Sequence, residues 1–169
     1  MNALTTLKIF DMEMSAPKDW RYQFSPGLTF RNGSLDICEP STNRKAMVTV
    51  TWNAQDTLFG QEALEDLPMA IQTYRTRAMK RLQGHLRSMD IYESIKTMQD
   101  GFPVYEDHFT AKYKRSFFRK SVSIQRFQRI HYSPTSKRVI CTFGGCILEE
   151  KPEWQEPILN VMNSYRDVF

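Results

Sequence analysis

Two cysteines and one histidine are the residues of this chain whose chemistry first suggests a metal site. Cys141 and Cys146 are separated by four residues, and His131 lies on the stretch expected to form the neighbouring strand. Structural zinc sites usually take four such ligands, often from closely spaced pairs, and the sequence around these two cysteines does not have that spacing. A buried thiol packs as a small apolar group, so we interpret Cys141 as core and predict no metal.

The chain offers little material for nucleophilic or acid–base catalysis. A nucleophile needs a histidine within reach and an acid that orients it, and no Gly-x-Ser-x-Gly turn exposes a serine. Glu106 and Asp107 are adjacent on a predicted strand, so they point to opposite faces and cannot act as a pair. Gly144-Gly145 lacks the Lys-Ser/Thr of a phosphate-binding loop and indicates a bend or turn. We therefore predict a protein that is not an enzyme and has no cofactor.

The feature that most suggests a function is a basic, aromatic-rich segment, residues 112–138. From His108 to Leu148 the chain has nine lysines or arginines and no acidic residue, although its net charge is only +4. Cations beside exposed aromatic rings are typical of single-stranded nucleic-acid binding, and they suit an acidic protein surface equally well. A third interpretation is a solvated sheet face whose rings turn to the core. No RNA-recognition signature is present.

Within this segment we expect a loop tip that carries two aromatic residues between two pairs of cations. The residues predicted to bind a partner are Arg115, Phe117, Phe118, Arg119 and Lys120. The phenylalanines would anchor the rim of an interface, and the cations would steer an acidic protein partner towards it. The alternative is a nucleic-acid-binding protein that uses the whole basic stripe 112–138.

Short strands are predicted in the first third of the chain, before the helix and the antiparallel strands that must position the basic segment. Asn32-Gly33 lies between two apolar triplets, which predicts a tight hairpin turn. The alternation from Ala46 to Asn53 places Val48, Val50 and Trp52 on one face, which is the pattern of a half-buried strand.

An amphipathic helix follows, because apolar residues recur every three or four positions from Leu67 to Leu82. Asp66 is its expected N-cap, and Pro68 is tolerated in the first turn, where amides have no helical acceptor. The outward face of this helix is basic, and the same three interpretations apply to it.

Antiparallel strands return after the helix. Asp100-Gly101 predicts a two-residue turn between strands over 88–99 and 103–113. A third strand is expected from Ser121 to Tyr132, with a bulge before Phe127 because the apolar phase slips there.

A last strand from Lys137 to Phe143 leads to a C-terminal helix with Pro157 at the edge of its first turn. This order predicts an α+β fold in one domain over residues 1–169. Its antiparallel sheet is covered by a long central helix and a C-terminal helix, as an α/β/α sandwich. No run reaches the length of a membrane span, and the odd number of cysteines suits a reducing compartment, so we expect a cytoplasmic protein.

This pattern resembles the PsbP-like fold, which is shared by the Mog-type Ran-binding proteins, the photosystem II subunit PsbP and small chaperones of type VI secretion effectors. The stretches that carry the resemblance are Ala16–Trp20, Met47–Trp52, Gln99–Pro103, Arg138–Phe143, Glu153-Trp154 and Ile158–Arg166. None of these motifs is catalytic. The resemblance implies a non-enzymatic adaptor, chaperone or assembly factor, and we expect it to bind through its sheet face and the basic, aromatic segment.

Overall fold

The structure is a computed structural model, and it describes residues 4–41, 45–113 and 122–168. In these residues a seven-stranded antiparallel sheet has the order β3-β4-β5-β9-β8-β7-β6, and a smaller antiparallel sheet has the order β1-β2-β10. The strands are β1 Leu4–Ile9, β2 Met12–Pro17, β3 Arg21–Phe24, β4 Asn32–Cys38, β5 Ala46–Ala54, β6 Leu86–Gln99, β7 Phe102–Tyr113, β8 Ser123–Ser133, β9 Arg138–Ile147 and β10 Arg166–Asp167. The helices are α1 Gln55–Leu58, α2 Gln61–Leu64, α3 Leu67–His85 and α4 Lys151–Asn163.

One face of the large sheet, here called the α4 side, is covered by helix α4 and the small sheet. Ile158, Val161 and Met162 of α4 are almost fully buried, and they share a core with Trp52 and Phe127 of the large sheet. Apolar residues of β1 and β2 close the same core. No helix in the described part of the chain is long and apolar enough to cross a membrane.

The other face, here called the α3 side, is covered by the long predicted helix. Asp66 caps it as predicted, since its carboxylate accepts a hydrogen bond from the Met69 amide over 3.1 Å. Ile71 packs against Tyr105 and Ile130 of the sheet. A further cluster joins the C-terminal half of the helix to the start of β6 and to β7. Both helices therefore cover antiparallel sheet, which confirms the predicted fold class.

The hairpin predicted at Asn32-Gly33 is wrong, because both residues belong to strand β4. Gly33 is required there for another reason: a Cβ at this position would lie 2.3 Å from the ring of Trp52. The indole also donates a hydrogen bond to the Thr29 carbonyl over 2.9 Å, so Trp52 holds the connection that precedes β4.

The turn predicted at Asp100-Gly101 is confirmed, and both residues have positive φ, 51° and 82°. The bulge predicted before Phe127 is wrong, because β8 pairs with β7 in continuous register from residue 123 to residue 130. The alternation of apolar residues in β8 changes phase because apolar side chains are buried on both faces of the strand. Phe127 faces the α4 side and Ile130 the α3 side, and both sides are covered.

The bend predicted at Gly144-Gly145 is also wrong, since the pair lies inside β9. A Cβ on Gly144 would lie 2.2 Å from Ile158 Cγ2, so the missing side chain lets helix α4 approach the sheet. Pro157 is inside α4 and not at its first turn, because the helix starts at Lys151.

Candidate protein-binding surface

Strand β6 forms one edge of the large sheet and is the most exposed long element of the described chain. It has 14 residues and, among the residues that the structure describes, pairs only with β7, along one side. All its side chains from Arg87 to Gln99 are exposed, except the half-buried Met89. A long free edge of this kind offers a row of unpaired amide and carbonyl groups to another strand.

Four large apolar side chains stand on this edge, and they are distributed over both faces of the sheet. Ile91, Tyr92, Ile95 and Met98 are 45%, 45%, 39% and 63% exposed. Ile91 lies opposite Phe109, which faces the α3 side, whereas Ile95 lies opposite Glu106 on the α4 side. A strand that pairs with β6 would therefore meet apolar side chains on both of its own faces.

A polar chain on the α4 side holds β6 to the rest of the protein. His108 Nδ1 lies 2.8 Å from a carboxylate oxygen of Glu93 on β6, and His108 Nε2 lies 2.7 Å from Glu106. Arg129 donates to Glu106 over 3.4 Å and to the Asn163 side chain, at the end of α4, over 3.1 Å. These contacts link the free edge to helix α4 through three strands.

A second polar group holds β6 on the α3 side. Asp107 is fully buried and accepts hydrogen bonds from Arg75 Nε over 2.8 Å and from the Ser94 hydroxyl over 2.7 Å. The hydrogen bonds to Asp107 raise the pKa of the Arg75 guanidinium above its ordinary value. Glu106 and Asp107 thus point to opposite faces, as predicted, and each ties a different face of β6 to the core.

Two buried titratable groups, Cys141 and His131, have pKa values far from the range that catalysis near neutral pH requires. Burial raises the pKa of the Cys141 thiol to about 12, and burial together with the charge of Arg129 lowers the pKa of His131 to about 3. Cys141 faces the α3 side and Cys146 the α4 side of the same strand, so the two thiols do not converge. A thiol that stays protonated at neutral pH is a poor nucleophile.

The loop residues predicted to bind a partner, Arg115, Phe117, Phe118, Arg119 and Lys120, lie outside the described residues. The described part of the basic stripe 112–138 is not a continuous exposed surface. Phe127 and Tyr132 are buried, and Arg138 is fully buried. The Arg138 guanidinium binds Asp11 over 2.5 Å and the Phe30 carbonyl over 2.9 Å, so it joins the turn between β1 and β2 to the large sheet. The described aromatic residues therefore fit the interpretation in which the rings turn to the core.

Solved structures share this fold over nearly the whole chain. CyanoP, the PsbP protein of Synechocystis sp. PCC 6803, has a TM-score of 0.67 at 10% identity, covering 99% of this chain and 94% of its own. The Saccharomyces cerevisiae Ran-binding protein Mog1p has a TM-score of 0.57 at 8% identity, with coverages of 99% and 97%. PA94 from Pseudomonas aeruginosa, a putative regulator, has a TM-score of 0.52 at 13% identity, with coverages of 95% and 94%. The chain therefore has the PsbP/Mog1-like fold, as the resemblance implied. No protein-family model matches the sequence, and neither does any curated protein.

Proposed function

We propose that this chain is a non-enzymatic protein-binding accessory protein that recognises an extended segment of a partner by main-chain pairing with β6. The observation that carries the proposal is the free edge of this 14-residue strand, with exposed apolar side chains on both faces. An adaptor or an assembly factor that holds an extended client segment would use such an edge.

Two of the four charged residues of β6 support this proposal, because they do not protect the middle of the edge. Natural sheets commonly place charged side chains on an exposed edge to repel other strands. Here Glu93 is held by His108, and the Lys96 ammonium lies 5.7 Å from the centroid of the Tyr105 ring. Both charges in the middle of the strand are therefore drawn onto the protein's own sheet, which leaves Ile91 and Ile95 accessible.

The absence of catalytic activity is supported by the state of the reactive groups in the described residues. Both ring nitrogens of His108 are already within hydrogen-bond distance of carboxylates, and His131 and Cys141 are buried. Among proteins of the same fold, Mog1p is a Ran-binding protein, which supports a binding role. The loop residues Arg115 to Lys120 remain our prediction for a further contact with an acidic part of the partner.

The test compares the two edges of the same sheet. The double variant Ile91→Lys, Ile95→Lys places like charges on β6, and the matched control Tyr22→Lys, Phe24→Lys changes two equally exposed residues on β3, the opposite edge. Each tagged protein is used to capture partners from its host, after thermal unfolding has shown that the variants are folded.

We expect the β6 variant to lose its stoichiometric partner and the β3 variant to retain it. In the wild-type complex, hydrogen exchange should show new protection of β6 amides because they become paired. Equal capture by both variants, or unchanged exchange of β6 in the complex, would show that the edge is not the binding site.

A further inference from the structure

Helix α3 and the two short helices before it enclose a cavity of about 330 Å³ that opens to solvent. Its walls are mainly apolar. They include Leu58 and Phe59 at the end of α1, Ala63 of α2, and Met69 and Tyr74 of α3, with Arg77 at one end. This volume is at the lower limit of ligand pockets, so it suits one or two apolar side chains better than a large ligand.

The walls of this cavity can accommodate an apolar group. Phe59 and Tyr74 pack edge to face, with their centroids 6.3 Å apart. Burial raises the pKa of Tyr74, so its hydroxyl stays neutral, and it lies 3.5 Å from the Cys141 thiol. Met69 is 55% exposed at the rim, although it is a large apolar side chain. Asp66 is the acidic residue of the lining, and the Met69 amide already donates to its carboxylate.

A stripe of cations runs along α3 from the mouth of this cavity. Arg77, Lys80 and Arg81 are exposed, and their spacing of three and four residues places them on one side of the helix. The sequence has no acidic residue between positions 67 and 89. None of these three side chains makes an ion pair with a residue that the structure describes, whereas Arg75 is bound to Asp107 on the sheet side.

We propose that the cavity and this stripe together form a docking groove for an acidic peptide segment of a partner protein. One apolar side chain of the segment enters the cavity, and neighbouring carboxylates pair with Arg77, Lys80 and Arg81. The charge of the stripe selects an acidic partner, and the apolar walls require that the partner also carries an apolar anchor. This groove does not involve β6, so it is a second contact that stands apart from edge pairing.

A protein segment fits this groove better than a nucleic acid does. Bases bind to open ring faces, but Phe59 and Tyr74 are half-buried and turned towards each other. The mainly apolar walls favour an apolar side chain, which a peptide can insert beside its carboxylates and a phosphate backbone does not carry.

The experiment uses the full chain and fluorescent octapeptides in which acidic residues flank one central leucine, methionine or phenylalanine. Counterparts with a central serine measure the contribution of the anchor, and an oligothymidine of equal charge represents nucleic acid. Binding is followed by fluorescence anisotropy at low and at high salt. The variant Arg77→Glu, Arg81→Glu is compared with Lys18→Glu, Arg21→Glu, which makes the same change of charge at exposed residues away from the groove.

We expect the serine counterparts and the Arg77→Glu, Arg81→Glu variant each to weaken binding by about tenfold or more, while Lys18→Glu, Arg21→Glu has little effect. Ala63→Phe, which fills the cavity, should abolish the preference for an apolar anchor without a change of charge. Equal binding of serine and apolar peptides, equal effects of the two charge reversals, or tighter binding of oligothymidine would overturn the proposal. The β6 variant Ile91→Lys, Ile95→Lys should bind the peptides as the wild type does, which separates this groove from edge pairing.

Discussion

Helix α4 has 13 residues and buries three of them fully against the large sheet, whereas the 19-residue helix α3 buries only two, Ala70 and Ile71. The α4 side is closely packed, since Gly144 of the sheet leaves room for Ile158 and Met162, and it also contains the ion pair between the buried Arg138 and Asp11. The α3 side contains an ion pair between Arg75 and Asp107, and its helix keeps an open cavity on the outer side.

This difference indicates that the two sides of the sheet contribute differently to stability and to the surface available for binding. Close packing on the α4 side supplies much of the stability of the fold, because buried apolar area is its main source. Helix α3 is less completely buried than α4, so more of its surface is free to contact a partner. Elements that bind partners are often the less stable ones in a domain.

The largest expected effect on stability comes from a comparison of two adjacent positions of β9, Gly144 and Gly145. Gly144→Val should lower the free energy of unfolding by about 3 kcal/mol, because the new side chain overlaps Ile158 and Met162 of α4. Gly145→Val should stay within about 1 kcal/mol of the wild type, since its Cβ meets only the flexible side chain of Arg126. Urea unfolding measures both. Similar losses for the two variants would mean that the α4 side is no more tightly packed than the α3 side.

An intermediate effect is expected on the α3 side. Asp107→Asn removes the charge that faces Arg75, and it should cost about 2 kcal/mol of stability because a partly buried guanidinium loses its partner. The double variant Arg75→Met, Asp107→Leu should recover most of this loss, since an apolar pair needs no compensation. If Asp107→Asn leaves the stability measured by thermal and urea unfolding unchanged, packing alone holds α3 on the sheet.

The smallest effect at neutral pH concerns the pH dependence contributed by the α4 side. Burial lowers the pKa of His131 from an ordinary value of 6.5 to about 3, so the unfolded chain binds a proton in this range that the folded chain does not. His131 therefore contributes stability above pH 6.5 that is lost as the pH falls towards 3, at up to about 1.4 kcal/mol per pH unit. The stability of His131→Phe, measured by urea unfolding across this range, should fall less steeply. Parallel curves for the two proteins would contradict a buried neutral imidazole.

Local patterns predicted those parts of the fold whose signals lie within a few residues. The Asp66 cap, the stripe that starts at Leu67 and the turn at Asp100-Gly101 are confirmed because each depends on backbone geometry and nearest neighbours. Two of the wrong predictions concern glycines whose presence is explained by a contact with a residue far away in the sequence. Gly33 makes room for Trp52, and Gly144 makes room for Ile158, so both glycines resemble turn signals in the sequence but lie inside strands.

The candidate binding surfaces were beyond the reach of sequence reasoning for the same reason. The charged residues within 86–99 are compatible with an exposed strand, but whether another strand pairs with its outer side depends on residues elsewhere in the chain. The cavity beside α3 likewise exists only because α1 and α2 lie against the helix. In the described part of the basic stripe 112–138, Arg138 is not available to a partner, and the sequence does not reveal that it is bound by Asp11, more than a hundred residues away.

The sequence by itself determined the fold class, the long amphipathic helix and the absence of known catalytic motifs, since periodicity, capping and motif spacing are local properties. Only the tertiary structure decided which strands form the edges of the large sheet, which cations are bound by carboxylates and which apolar residues stay exposed. Those properties are set by contacts between residues far apart in the chain. The tertiary structure therefore added two candidate binding surfaces, β6 and the outer side of α3, to the predicted loop.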